Sequence, residues 1–193
     1  MPPKGRKASA SHTHTKKKVS AAYKPQQQQQ QQRQEEQQQQ HVKFLLKSEP
    51  HEFSIADLES KQNHTAPWDG IRNFEAARIL RTEFRVGDRA YFYHSSCKDL
   101  GIVGEVEVTR EAYPDPEQFD STKKYYDPKS TKEKPRWWCV DIRWVKTYPK
   151  IVSLKDLKAC PELNELQMLK RGRLSVSRVK KSESESINRL IST

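Results

Sequence analysis

A tryptophan set among turn-forming residues has the clearest chemical potential in this chain: Ala66-Pro67-Trp68-Asp69-Gly70-Ile71-Arg72-Asn73 stands directly ahead of a helix-like run. Proline and glycine interrupt backbone ladders, so the sequence predicts irregular backbone around this indole. An indole so placed either closes a core from outside or offers its flat face to a ligand. Two polar clusters, Lys47-Ser48-Glu49-Pro50 and Tyr93-His94-Ser95-Ser96, each end an apolar run. One aromatic plate with several short hydrogen-bonding groups suits a flat, polar ligand such as a nucleobase.

The elements that must position these groups read as short strands with interspersed short helices. Order is expected to begin at Val42, with Val42–Leu46 as a strand stopped by Pro50. Ser54 caps a short helix, with Asp57 three residues on, and Ser153 and Asp156 repeat that pattern. Asn73 caps a second helix whose buried face is predicted to hold Phe74, Ala77, Ile79 and Leu80, with Arg78 and Arg81 pointing elsewhere. Arg89–His94 and Ile102–Val108 read as a hairpin, and residues 111–135, with four prolines, as a long irregular stretch of the kind that often carries function. Trp137–Val145 and Leu174–Arg178 are further strands. Together these predict an α+β fold built on a strongly bent sheet or small barrel.

Charge points to a polyanion. The chain carries +11 at pH 7. Residues 1–41 hold 8 Lys/Arg against 2 Asp/Glu, a net of +6, which leaves +5 on residues 42–193. The first 41 residues, basic and glutamine-rich, contain one aromatic and bury too little apolar surface to offset chain entropy, so they are expected to be a disordered tail. Its basic cluster Lys16-Lys17-Lys18 suits nuclear import or loose phosphate binding, and the glutamine runs suit association with protein partners. The N-terminus has no secretory hydrophobic core, and no apolar run approaches the ~20 residues of a membrane span. Cys97, Cys139 and Cys160 are widely spaced, which suggests a reducing compartment and no disulfide framework. No histidine has a second ligand at metal-like spacing, so neither metal nor cofactor is expected.

KSEP (47–50), WDGIRN (68–73), VGDRAYFYHSSCK (86–98), GIVGEVEV (101–108), EAYPDPEQFD (111–120), YYDPKS (125–130), PRWWCVDI (135–142) and RGRLSV (171–176) resemble the EVE domain, most closely its eukaryotic thymocyte nuclear protein group. The resemblance covers residues 42–180 and sets 181–193 apart as a tail or short helix. It implies a PUA-like pseudo-barrel with helices packed outside, related to YTH domains, in a nuclear, non-catalytic reader of modified DNA bases of the 5-methylcytosine or 5-hydroxymethylcytosine class. Carried onto this chain, it implies a base pocket built by Ser48, Trp68, Asp69, Asn73, His94 and Ser95. YTH readers supply a second aromatic wall where this chain has Lys98-Asp99-Leu100, so the resemblance implies a one-walled polar slot here.

Each group has a physical role to match. Trp68 would stack an extruded base, offsetting part of the cost of unstacking it. Asn73 offers an acceptor and two donors to a base edge, besides its use as a cap. Ser48 and Ser95 suit a hydroxymethyl oxygen or base carbonyl, and His94 a base or phosphate. Tyr113, Trp137 and Trp138 are candidates for the pocket rim. Arg72, Lys98, Arg136, Arg171 and Arg173, with Lys123 and Lys124, are candidates for phosphate contact, which positions a nucleic acid without reading it. Two alternatives stand beside the DNA reader: a YTH-like reader of modified RNA, and a base-processing hydrolase using Asp69 with His94.

Overall fold

The computed structural model describes residues 42–193; the predicted tail at 1–41 lies outside the described residues. Six strands form one mixed, open sheet: β1 (Phe44–Ser48), β2 (Thr65–Trp68), β3 (Arg89–His94), β4 (Gly101–Pro114), β5 (Trp138–Ser153) and β6 (Val176–Arg178). Their spatial order is β2-β5-β4-β3-β1-β6. Only β1 and β3 run parallel, joined by a crossover through α1 (Ile55–Ser60), β2 and α2 (Phe74–Glu83). Three further helices follow β5: α3 (Leu154–Ala159), α4 (Gln167–Lys170) and α5 (Lys181–Ile191).

Alternation along the strands divides the interior into two cores. Phe44, Leu46, Ala90 and Phe92 face one side, against Ile55 and Leu58 of α1 and Ile79 and Leu80 of α2. Leu45, Tyr91 and Tyr93 face the other, against Leu157, Leu163, Met168 and Ile187. Register shifts at several points between β4 and β5 bend these two long strands across both layers. Gly104 sits at one of them, where a Cβ would stand 2.3 Å from Ile55 Cδ1, so α1 can approach only a bare backbone.

The capping signals are realised. Ser54 and Asp57, and Ser153 and Asp156, form reciprocal capping boxes at α1 and α3. Asn73 Oδ1 accepts the amides of Glu75 and Ala76 at 2.9 and 3.1 Å. Cys139 is a small, buried core residue.

Several expectations change. Trp68 is not on irregular backbone: it ends β2, opposite Val140 of β5. Pro67 is accommodated because β2 is an edge strand, where the missing N–H leaves no partner unsatisfied. Phe74 leaves the predicted buried face, which Ala76 fills instead; as the first helical residue it projects outward, 64% exposed. The hairpin strand predicted to stop at Val108 runs on to Pro114, and the strand predicted for 137–145 extends to Ser153. Of residues 181–193, set apart in the sequence reading, Lys181–Ile191 form α5, whose Ile187 is fully buried and whose Asn188 Oδ1 accepts the Tyr91 hydroxyl at 2.8 Å.

Candidate nucleic-acid interface

A cleft of about 520 Å³ opens between the end of β1, the Glu52–Phe53 turn, the chain from β2 to Arg72, and Tyr125 of the loop after β4. Of the six predicted pocket residues, Ser48, Trp68 and Asp69 line it; Asn73, His94 and Ser95 do not.

Trp68 forms the apolar back of the cleft but is only 5% exposed. Phe92 and Phe53 meet its ring edge-on, at centroid distances of 5.5 and 6.4 Å. Its Nε1–H is buried without an acceptor among the described residues. An unmet donor of this kind costs ~1–3 kcal/mol, and such groups are rare in folded proteins.

Asp69 follows on the exposed rim, bordering both this cleft and a second cavity of about 250 Å³ that also touches Tyr113 and Glu117. Desolvation, then repulsion from Asp115 and Glu117, pushes its carboxyl up to about 6. The protonated and ionised carboxyl present different hydrogen-bonding faces to a ligand.

Gly70 turns the chain at φ 69°, and a Cβ there would stand 2.7 Å from Tyr125 Cε2. That close approach lets Tyr125 wall the cleft. Gly70 N–H donates to Asp115 Oδ2 at 3.1 Å, and Arg72 Nη1 to the same oxygen at 2.7 Å. Arg72 Nε and Nη2 hold the Tyr125 carbonyl, the former at 2.9 Å. Predicted as a phosphate contact, Arg72 here ties the wall loop to the turn.

Most of the remaining predicted groups, and the hydroxyl of Ser48, are committed to the framework. Ser48 Oγ donates to the Phe53 carbonyl at 2.7 Å, while Ser95 N–H and Oγ donate to the Ser48 carbonyl at 2.8 and 3.2 Å. His94 Nε2 accepts Ile55 N–H at 3.2 Å, and desolvation holds its imidazole below the ordinary value. Tyr113 donates to Asp141 at 2.6 Å beneath the guanidinium of Arg110. Trp137 donates to Asp127 at 2.7 Å, and Trp138 lies under Arg81. Neither tryptophan lines the cleft. Arg136 pairs with Asp127 and Arg171 with Glu75, whereas Lys98 and Arg173 are exposed and make no ion pair among the described residues.

Among the other cleft residues, Lys47 was not read from the sequence as a site group. Lys47, whose ammonium burial holds below the usual lysine range, donates to the Gly172 carbonyl. Tyr125 supplies a wall, and Lys124 closes the mouth through a 2.8 Å pair with Glu52. Lys47 stands inside the KSEP motif and Tyr125 inside YYDPKS, so their motifs marked the segments without revealing which side chains face inward. Among the described residues no three His, Cys, Asp or Glu side chains gather as a metal site.

Fold and site together define an α+β module with a polar cleft backed by an indole and walled by a tyrosine. The profile of the EVE domain matches residues 42–190, and the chain belongs to that family. It is 37% identical over 161 residues to thymocyte nuclear protein 1 of Mus musculus, covering 75% of this chain and 71% of the mouse protein. Among solved structures, it resembles a hypothetical protein from Leishmania major, at 45% identity and a TM-score of 0.73, covering 79% of this chain and 94% of that one. It also resembles human THYN1 in complex with 5-methylcytosine-containing DNA, at 34% identity and a TM-score of 0.75, covering 78% of this chain and 97% of that one.

Proposed function

We propose that this protein is a non-catalytic nuclear reader of modified cytosine in DNA, which takes an extruded base into the cleft beside Trp68. The observation that carries the reading is the cleft: about 520 Å³, backed by an indole whose N–H lacks an acceptor among the described residues, in a chain similar along most of its length to a protein solved with 5-methylcytosine DNA. Its volume falls within the ~300–1,000 Å³ usual for small-ligand sites. Asp69 supplies a polar group for the base edge, the Ser48 hydroxyl being taken by the Phe53 carbonyl, and Tyr125 offers a flat face opposite. Trp68 acts from the core, as the edge and floor of the slot more than as an open plate. A catalytic pairing of Asp69 with His94 gains no support, since His94 lies outside the lining with its Nε2 taken by Ile55 N–H.

The test is binding of the full chain to matched duplexes carrying cytosine, 5-methylcytosine or 5-hydroxymethylcytosine, with Asp69→Ala and Tyr125→Ala alongside. A preference of at least about tenfold (about 1.4 kcal/mol) for one modified duplex, lost in the variants, supports the reading. Equal, salt-sensitive binding to all three would overturn it and leave only a basic surface. A matched modified RNA strand in the same series separates the two nucleic acids.

A further inference from the structure

Beyond the cleft, one helix face combines an oriented, exposed aromatic ring with two cations that have no carboxylate partner among the described residues. Phe74, Arg78 and Arg81 stand at i, i+4 and i+7 of α2, one stripe of the helix, while Ala76, Ala77, Ile79 and Leu80 bury the opposite side. All three stripe residues are exposed, and neither arginine makes an ion pair among the described residues. Phe74 is oriented, not merely left out of the core. Its ring stacks on Trp137 at 4.8 Å between centroids and 28° between planes, with Trp137 held in turn by Asp127. Arg136 lies 5.4 Å from the Phe74 ring centre, and Arg81 4.4 Å over Trp138.

This stripe is continuous with the cleft. Arg72 lines the cleft only two residues before Phe74, so their Cα atoms lie within about 7.6 Å of each other. Its guanidinium sits 5.2 Å from the ring centre of Tyr125, the cleft wall, and 5.5 Å from that of Trp137, the support of Phe74. From Phe74 to Arg81 the helix rises about 10 Å, roughly three nucleotide steps at ~3.4 Å each.

We propose that this face of α2 binds the DNA strand beside the base held in the cleft, with Phe74 stacking on the neighbouring base and Arg78 and Arg81 contacting the phosphates that follow. The proposal rests on the base-reading function above. Extruding one base exposes the face of its neighbour, and an aromatic ring fixed by a second ring behind it can cover that face at little ordering cost. Arginine side chains free of protein carboxylates release DNA counterions on binding, a gain that a paired arginine such as Arg136 lacks.

The experiment uses the full chain and a 5-methylcytosine duplex over a range of salt. Phe74→Ala and Phe74→Leu are expected to weaken binding at least about tenfold (about 1.4 kcal/mol), with Phe74→Tyr near the parent. Leucine keeps the apolar contact with Trp137 and removes the π-face, so a parallel loss in both variants isolates stacking from folding. The Arg78→Ala/Arg81→Ala pair is expected to lower the slope of log affinity against log salt by about 2. All variants retain the ratio of modified to unmodified affinity, because that ratio reads the cleft. Affinity and salt slope unchanged, with the ratio intact, overturn the role of α2 and leave the function standing. No ratio in the parent, with the losses still present, overturns the cleft reading and keeps the helix face as a DNA surface.

Discussion

Arg72 reaches back from the turn after β2 to the fully buried carboxylate of Asp115, Nη1 to Oδ2 at 2.7 Å, and so fastens the back of the cleft to the loop that walls it. The same carboxylate accepts Gly70 N–H and, through Oδ1, Glu117 N–H at 2.9 Å. Removing it strands a half-buried guanidinium and two backbone donors. Asp115→Ala is expected to cost about 3 kcal/mol in urea denaturation, because a buried pair broken on one side leaves the other charge uncompensated. Asp115→Asn, which keeps an acceptor, should cost less.

Trp68 is a core residue first. Trp68→Ala is expected to lose ~3–5 kcal/mol of stability, so lost binding in that variant would report folding as much as stacking. Trp68→Phe removes the unpartnered Nε1–H along with some packed volume. The relief of an unmet donor offsets the lost contacts, and its stability should fall within about 1 kcal/mol of the parent. Paired denaturation curves for the two variants check this.

Asp69 and His94 impose opposite pH slopes. The Asp69 carboxyl, at about 6 when folded against 3.8 ordinarily, binds its proton more tightly in the native state. Its contribution is therefore full below pH 4 and is lost as pH rises to about 6. Solvent at this exposed group screens the effect to about 1 kcal/mol or less. Asp69→Asn should be more stable than the parent at pH 7 and should flatten that part of the profile. His94, held below its ordinary value of 6.5, binds its proton less tightly when folded. Its contribution is present above pH 6.5 and is lost on acidification, as the Nε2 that accepts Ile55 N–H becomes a donor. His94→Gln is expected to remove that acid-side loss in a pH series of unfolding midpoints.

Gly70 holds the wall in place by having no side chain. Gly70→Ala forces a left-handed φ of 69° on an L-residue, at ~1–2 kcal/mol, and drives a methyl into Tyr125. Since Arg72 grips the Tyr125 carbonyl, displacement of that ring loosens the loop. Trypsin is expected to cut at the exposed Lys123 and Lys124 faster in this variant than in the parent, a comparison readable on a gel.

Local signals were legible wherever a contact is short in sequence. The caps at Ser54, Asn73 and Ser153, the hairpin of β3 and β4, and the α+β class follow from hydrogen bonds or turns within a few residues. The family was legible in the order of the motifs, now matched over residues 42–190. Phe74 shows where periodicity fails: the first helical residue has no preceding turn of helix to hold it inward, and Trp137, 63 positions away, offers the surface on which it lies. Trp68 fails likewise, because Pro67 reads as a breaker until β5 makes β2 an edge strand.

By itself, then, the sequence determined the element types, their caps, the mild basic excess of residues 42–193 and the segments that border the cleft. These depend on propensity, charge count and neighbours along the chain. Only the tertiary structure decided which side chains face inward. Trp68 and Asp69 meet Tyr125 across the cleft, while Ser48, Asn73, His94 and Ser95 spend their polar atoms on the framework. A hydrogen-bonding group is available to a ligand only when no nearer backbone atom has claimed it, and that competition is settled by distance in space.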